Sequence, residues 1–398
     1  MLTMKRIGSA TAVALLAILG AAPSALALTN SDRPTSAVIF TDVAVSTDTS
    51  QDTLLRLSNA SDSASVTAKC FYINSNSHCS NTGGVCTSFV DCVAGSTIGV
   101  CLPGWTVTDF QVVLTRRQPL GWLASRGLAS TALPMRGVRV CSASSANAGA
   151  SCTSFFDCPG GTCIDGQDND GTLIPPVPEL SFVGELRCIE VDPATDTPFA
   201  GASNTNDLEG QASITTILPD GTIDVATYNA VGFASNFNSD TNNELVLGDE
   251  YGGCASVLVV NHLFDGATNP IDAGSSSATI LNLSPCSGDL SGADPSLGVS
   301  TAQFLVYNEF EQRFSTSRRV DCHFQSLLSL IDTTQSPRSI WNAAVAGTVA
   351  GQTRIRPVGS GLVGSARLAI LSAAGGGSSA YNIHQDGDRT VTDSIIIP

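Results

Sequence analysis

Lysine is nearly absent from this chain: Lys5 and Lys69 are the only two in 398 residues. Charged residues make up 14% and aromatics 6%, and 19 basic against 35 acidic residues leave a formal charge of −16. No basic run interrupts that acidity, so the balance argues against nucleic acid or an anionic membrane as a partner. Beyond residue 27 no stretch of eighteen apolar residues occurs, which removes a membrane-spanning helix. Long amphipathic helical patterns are missing too; the best window, Arg319 to Ile331, holds β-branched and aromatic residues that suit a strand pair equally well. The H-E-x-x-H, G-x-S-x-G and G-x-x-x-x-G-K-[ST] signatures are all absent. What is present is 42% hydrophobic content, enough to fill real cores, spread over a length that suggests two or three domains.

The first segment reads as an address. Lys5 and Arg6 precede an apolar stretch over 12–22, and Ala25-Leu26-Ala27 offers the small residues of a signal-peptidase site. Residues 1–27 are therefore expected to be a signal peptide, with the mature chain beginning at Leu28. Losing Lys5 and Arg6 takes the formal charge to −18 and leaves Lys69 as the single lysine. No cysteine follows the cleavage site to carry a lipid anchor, so the expected location is secreted, periplasmic or at the cell surface.

Thirteen cysteines in an exported chain point to disulfides before metal. Cys79, Cys86, Cys92 and Cys101 form one cluster, and Cys141, Cys152, Cys158 and Cys163 form another of similar span. Both contain C-T-S-F-[VF]-D-C, at Cys86 to Cys92 and at Cys152 to Cys158. Segments so poor in aliphatic residues cannot order themselves by burial and need covalent staples. Two bridges per cluster is the simplest arrangement, with three connectivities open to each. Zinc is the competing use of four close cysteines, disfavoured because neither cluster has a C-x-x-C pair. The clusters resemble a cysteine-rich repeat of exported bacterial proteins, with Gly before the second Cys and Asp-Cys at the third; the resemblance covers these stretches alone and implies no activity.

A fainter repeat spans the rest. Leu55 to Asn59 parallels Phe304 to Asn308, and Phe182-Val183-Gly184-Glu185-Leu186-Arg187 parallels Leu362-Val363-Gly364-Ser365-Ala366-Arg367. The first interval is the longer, and both cysteine clusters fall inside it. Strand signals at Ala37 to Val45, Val107 to Leu114, Ala212 to Ile217, Ser256 to Leu263 and Ala278 to Leu283 are separated by turn signals such as Asp220-Gly221 and Asp265-Gly266. The expected fold is all-β: two tandem antiparallel, Ig-like β-sandwich modules over 28–238 and 239–398. The first would carry stapled insertions near 73–104 and 141–171. Ser394 to Pro398 reads as an edge strand. Cys70 is expected to pair with Cys188, stapling the sheets of module one, and Cys254 with Cys286, leaving Cys322 a buried free thiol or an intermolecular link.

Candidate chemistry is sparse. His262 with Asp265 is the nearest approach to a general-base pair, and His384 is a second histidine to consider. Gly359 to Gly364 matches G-x-G-x-x-G without a convincing strand before it. Asp165, Asp168, Asn169 and Asp170 form an acidic Gly-containing loop that resembles extracellular calcium loops, a weak candidate for structural calcium and the only cofactor implied. Trp105, beside Pro103, is the candidate ligand contact, while Trp122 and Trp341 look like core. The leading expectation is a non-catalytic exported structural or surface-interaction protein meeting a surface protein or polysaccharide. A carbohydrate-binding or adhesive module is the alternative, ahead of a hydrolase built on His262 or His384.

Overall fold

A computed structural model describes residues 31–398 apart from 87–88, 103, 105, 129–138, 142–144, 148–151, 153–154, 162, 166–173, 199–205, 219, 237–239, 241, 270–272, 333–337 and 373–374. The chain is nearly all β and builds antiparallel sheets packed face to face. In the first sandwich one layer runs Val231–Phe233, Ala37–Ser46, Ser181–Glu190, Val66–Asn74, Thr106–Leu114. The facing layer runs Ile223–Asn229, Leu208–Ile217, Gln51–Asn59, Pro119–Leu123. Ala37–Ser46 and Gln51–Asn59 pair in register only at Ser46 and Gln51, Thr53 Oγ1 then bridges to the backbone of Ala44, and beyond it the strands splay, so this tight turn is the corner between layers. Alternating apolar residues fill the space between, among them Phe40, Leu55, Tyr72, Phe182 and Leu186. Trp122 lies in that core and donates its indole N–H to Tyr72 Oη at 2.6 Å, which satisfies the one polar group its burial would strand.

The second sandwich faces Arg313–Asp321, Val299–Asn308, Ala350–Gly359, Ala255–Leu263 and His384–Asp388 against Phe324–Leu327, Ser275–Pro285, Leu362–Ser372 and Gly375–Asn382. Its core holds Leu258, Phe264, Phe304, Trp341 and Ile355. The Arg319 to Ile331 window resolves into strand, strand and the single helical turn Leu328–Ile331. The end of the chain departs from expectation: Asp393–Ile396 is the middle strand of a small sheet, between Glu244–Leu247 and Gly288–Asp289. Ile395 and Ile397 are buried there, because a third layer covers them.

That third layer joins the sandwiches. Ala37, Ile39, Phe71, Ile73, Ile189 and Phe233 project from the back of the first layer onto Leu245, Tyr251, Leu290, Val363 and Ile395. Ala37–Ser46 is therefore buried on both faces, which is why its sequence AVIFTDVAVS runs apolar instead of alternating. The two β bodies share a core and are not separate beads on a string.

Six disulfides cross-link the described residues. Cys254 and Cys286 pair and tie the start of one layer to the end of the other in the second sandwich. Cys70 and Cys188 also pair, but the bridge does not staple two sheets: the residues sit directly opposite each other on neighbouring strands of one sheet. Cys322 is free and buried.

Candidate functional site

The two cysteine-rich inserts have the same covalent plan. Cys79 bonds Cys92 and Cys86 bonds Cys101; Cys141 bonds Cys158 and Cys152 bonds Cys163. First joins third and second joins fourth in each, around a short 3-10 turn at Phe89–Cys92 and Phe155–Asp157. With sulfur filling the centre, the apolar side chains have nowhere inside to go. In the first insert Val85, Val90, Val93, Ile98, Val100 and Leu102 are all exposed, Ile98 to 75%. Val93 and Ile98 are direct cross-strand partners, so they form one continuous apolar surface. At the position matching Val90, the second insert shows Phe156, exposed to 79%.

The neck of the first insert is fixed by polar contacts. Asn76 Nδ2 donates to Glu179 Oε1 at 2.6 Å, Asn74 Nδ2 donates to the same oxygen, and His78 Nε2 lies 3.2 Å from Glu179 Oε2. Residues 74, 76 and 78 alternate along an extended chain and so present one side to one carboxylate. Nothing in the sequence pattern marks this clamp, since Glu179 lies about a hundred positions away.

The candidate chemical residues are placed as follows. His262 is buried and hydrogen-bonded to Thr353 Oγ1 at 2.9 Å and to Leu263 O at 3.2 Å, and burial pushes its pKa down to about 4. Asp265 accepts backbone N–H groups from Thr279 and Ser329 and makes no bond to His262. Each holds the core of the second sandwich, so the suggested general-base pair does not form. His384 is exposed on the edge strand opposite Val259. Gly359 to Gly364 spans the end of one strand, the two linking residues Ser360 and Gly361 and the start of the next strand, with the Gly361 N–H donated to Asp393 Oδ1 at 2.7 Å and no helix start to cradle a phosphate. The thiolates zinc would need are spent in S–S bonds. Asp168, Asn169, Asp170 and Trp105 lie outside the described residues, and Asp165 is described only as the end of the strand Cys163–Asp165.

Two further features were not read from the sequence. At the joint between sandwiches, Arg187 binds Glu185 at 2.7 Å and donates to the carbonyls of Pro285 and Cys286, while Arg367 lies 3.9 Å from Asp42. Burial raises the pKa of both carboxylates, with the neighbouring arginine opposing it. A cleft of about 580 Å³ opens in the first sandwich, lined by both layers: Arg56, Ser58, Glu209 and Gln211 stand beside the core residues Val38, Leu57 and Leu208. No family model and no curated protein matches this chain. Among the described residues no helix is long and apolar enough to cross a membrane, and the six bridges are those of a chain folded in an oxidising compartment.

Proposed function

We propose that the chain is a non-catalytic exported surface-interaction protein whose first stapled insert meets its partner. One observation carries this reading: six large apolar side chains stand in water on a loop that two disulfides hold in a single shape. An exposed apolar patch on a monomer marks an interaction site, and a patch that is already rigid loses little conformational entropy on binding. The neck clamp on Glu179 supports the same reading, because it fixes where the insert points.

The test measures retention of the purified full chain on the surface of cells that produce it, comparing wild type with a Val90→Ser, Ile98→Ser, Val100→Ser triple variant. These side chains are exposed, so the fold should survive, as circular dichroism can verify. A loss of at least tenfold in affinity, about 1.4 kcal/mol, is expected. Equal retention of the two proteins overturns the reading.

A further inference from the structure

The outer side of the five-stranded sheet in the second sandwich has a different chemistry. Along Val299–Asn308, Ala302, Phe304 and Val306 turn into the core, so Thr301, Gln303, Leu305 and Tyr307 turn out. Register then fixes their neighbours: Gln303 lies between Ser317 and Arg356, Leu305 between Ser315 and Arg354, and Tyr307 between Arg313 and Gln352. With Arg319 opposite Thr301, four arginines share this face of a chain whose formal charge is −16. Arg319 is paired with Asp321 at 2.7 Å and Arg354 with Asp386 at 2.5 Å. Arg356 has no ion-pair partner among the described residues, and it stands in a cleft of about 450 Å³ beside Gln303, Leu305, Ser315 and Ser317. Among the described residues it is the one charged group lining that cleft.

We infer that this cleft binds a carboxylated polysaccharide, with Arg356 forking one uronate carboxylate and Gln303, Ser315 and Ser317 exchanging hydrogen bonds with sugar hydroxyls. A guanidinium matches the plane and spacing of a carboxylate bidentately. Amide and hydroxyl side chains both donate and accept, as sugar hydroxyls do, and Leu305 offers a small apolar floor for a sugar's C–H face. In that cleft one guanidinium stands amid neutral hydrogen-bonding groups, which suits spaced carboxylates, while the chain's formal charge of −16 disfavours densely charged phosphate polymers. This site is on the other sandwich from the insert, so its failure would leave the insert reading standing, and the reverse.

Isothermal titration of the full chain with tetragalacturonate, its methyl ester and maltotetraose tests the assignment. Tetragalacturonate is expected to bind, more weakly as salt rises, with the ester and the neutral glucan at least tenfold weaker. Arg356→Ala should lose at least tenfold, Arg356→Lys should recover part of it, and Arg117→Ala, on the first sandwich, should change nothing. The proposal is overturned by no binding of tetragalacturonate at millimolar concentration, by equal binding of the ester, or by an unaffected Arg356→Ala variant. Tighter binding of a sulfated oligosaccharide than of tetragalacturonate overturns the choice of ligand.

Discussion

His262 shows how a catalytic-looking residue is absorbed by packing. Its ring stacks edge-on to Phe264 and shares Thr353 Oγ1 with the indole N–H of Trp341, each bond 2.9 Å long. Since the folded chain holds this imidazole neutral down to about pH 4, whereas an unfolded chain protonates it near its ordinary value of 6.5, the unfolded state binds more protons in that window. Stability linked to His262 is thus fully present above pH 6.5 and drains away as pH falls toward 4. At pH 5 the loss is about 2 kcal/mol. Urea denaturation at pH 7 and pH 5 should show a difference between the two pH values that is about 2 kcal/mol smaller in His262→Gln than in wild type; an unchanged difference would refute the account. His323, held down to about pH 3 by burial, moves in the same direction. It lies in the joint beside the raised carboxylates and is the less clean reporter.

At the scale of elements, the inserts are held by their bridges, whereas each sandwich has an apolar core with a single bridge added to it. Removing both bridges of the first insert, Cys79–Cys92 and Cys86–Cys101, by Cys→Ser substitution should release that loop to proteolysis while the melting transition of the body moves by only a few degrees. Removing Cys254–Cys286, which closes a separation of 32 residues between layers, should cost about 4 kcal/mol on the chain-entropy account. Limited proteolysis with mass mapping, alongside calorimetry, distinguishes the two. Much of this element plan was legible in the residues: the strand signals, the paired clusters and the unpartnered Cys322 all follow from spacing and composition. The parallel segments also do matching local work. Asn59 and Asn308 each end a strand and accept a backbone N–H two residues on, and a Cβ on Gly184 or Gly364 would collide with a neighbouring strand's carbonyl. Their connections differ, however. After Asn59 the chain crosses to the other layer, and after Asn308 it turns back within the same one. Local pattern fixes what a strand end needs and says nothing about which sheet the next strand joins. For the same reason Cys70 and Cys188 were readable as a pair but not as neighbours within one sheet.

The whole molecule is organised around the joint. Buried arginines reach across it in both directions, Arg187 from the first sandwich to the carbonyls at 285 and 286, Arg367 from the second toward Asp42. Sequence reading could not find this layer, because a buried ion pair looks in one dimension like any surface charge. An unpaired charge left there would cost several kcal/mol, so the sandwiches should not come apart cheaply. Trp122 reports the first core and Trp341 the second. In single-tryptophan variants on a Trp105→Phe background, the two fluorescence transitions in urea should coincide. Two separated midpoints would show that the sandwiches melt independently.

Cys322 sits in that shared layer, 3% exposed, its thiol pushed up to about 12 mainly by burial. A sulfhydryl so placed is chemically silent while the joint is closed, and it is the only one the bridges leave over. Its alkylation would act as a clock for transient parting of the two halves, ticking at the frequency of that opening and indifferent to fraying anywhere else.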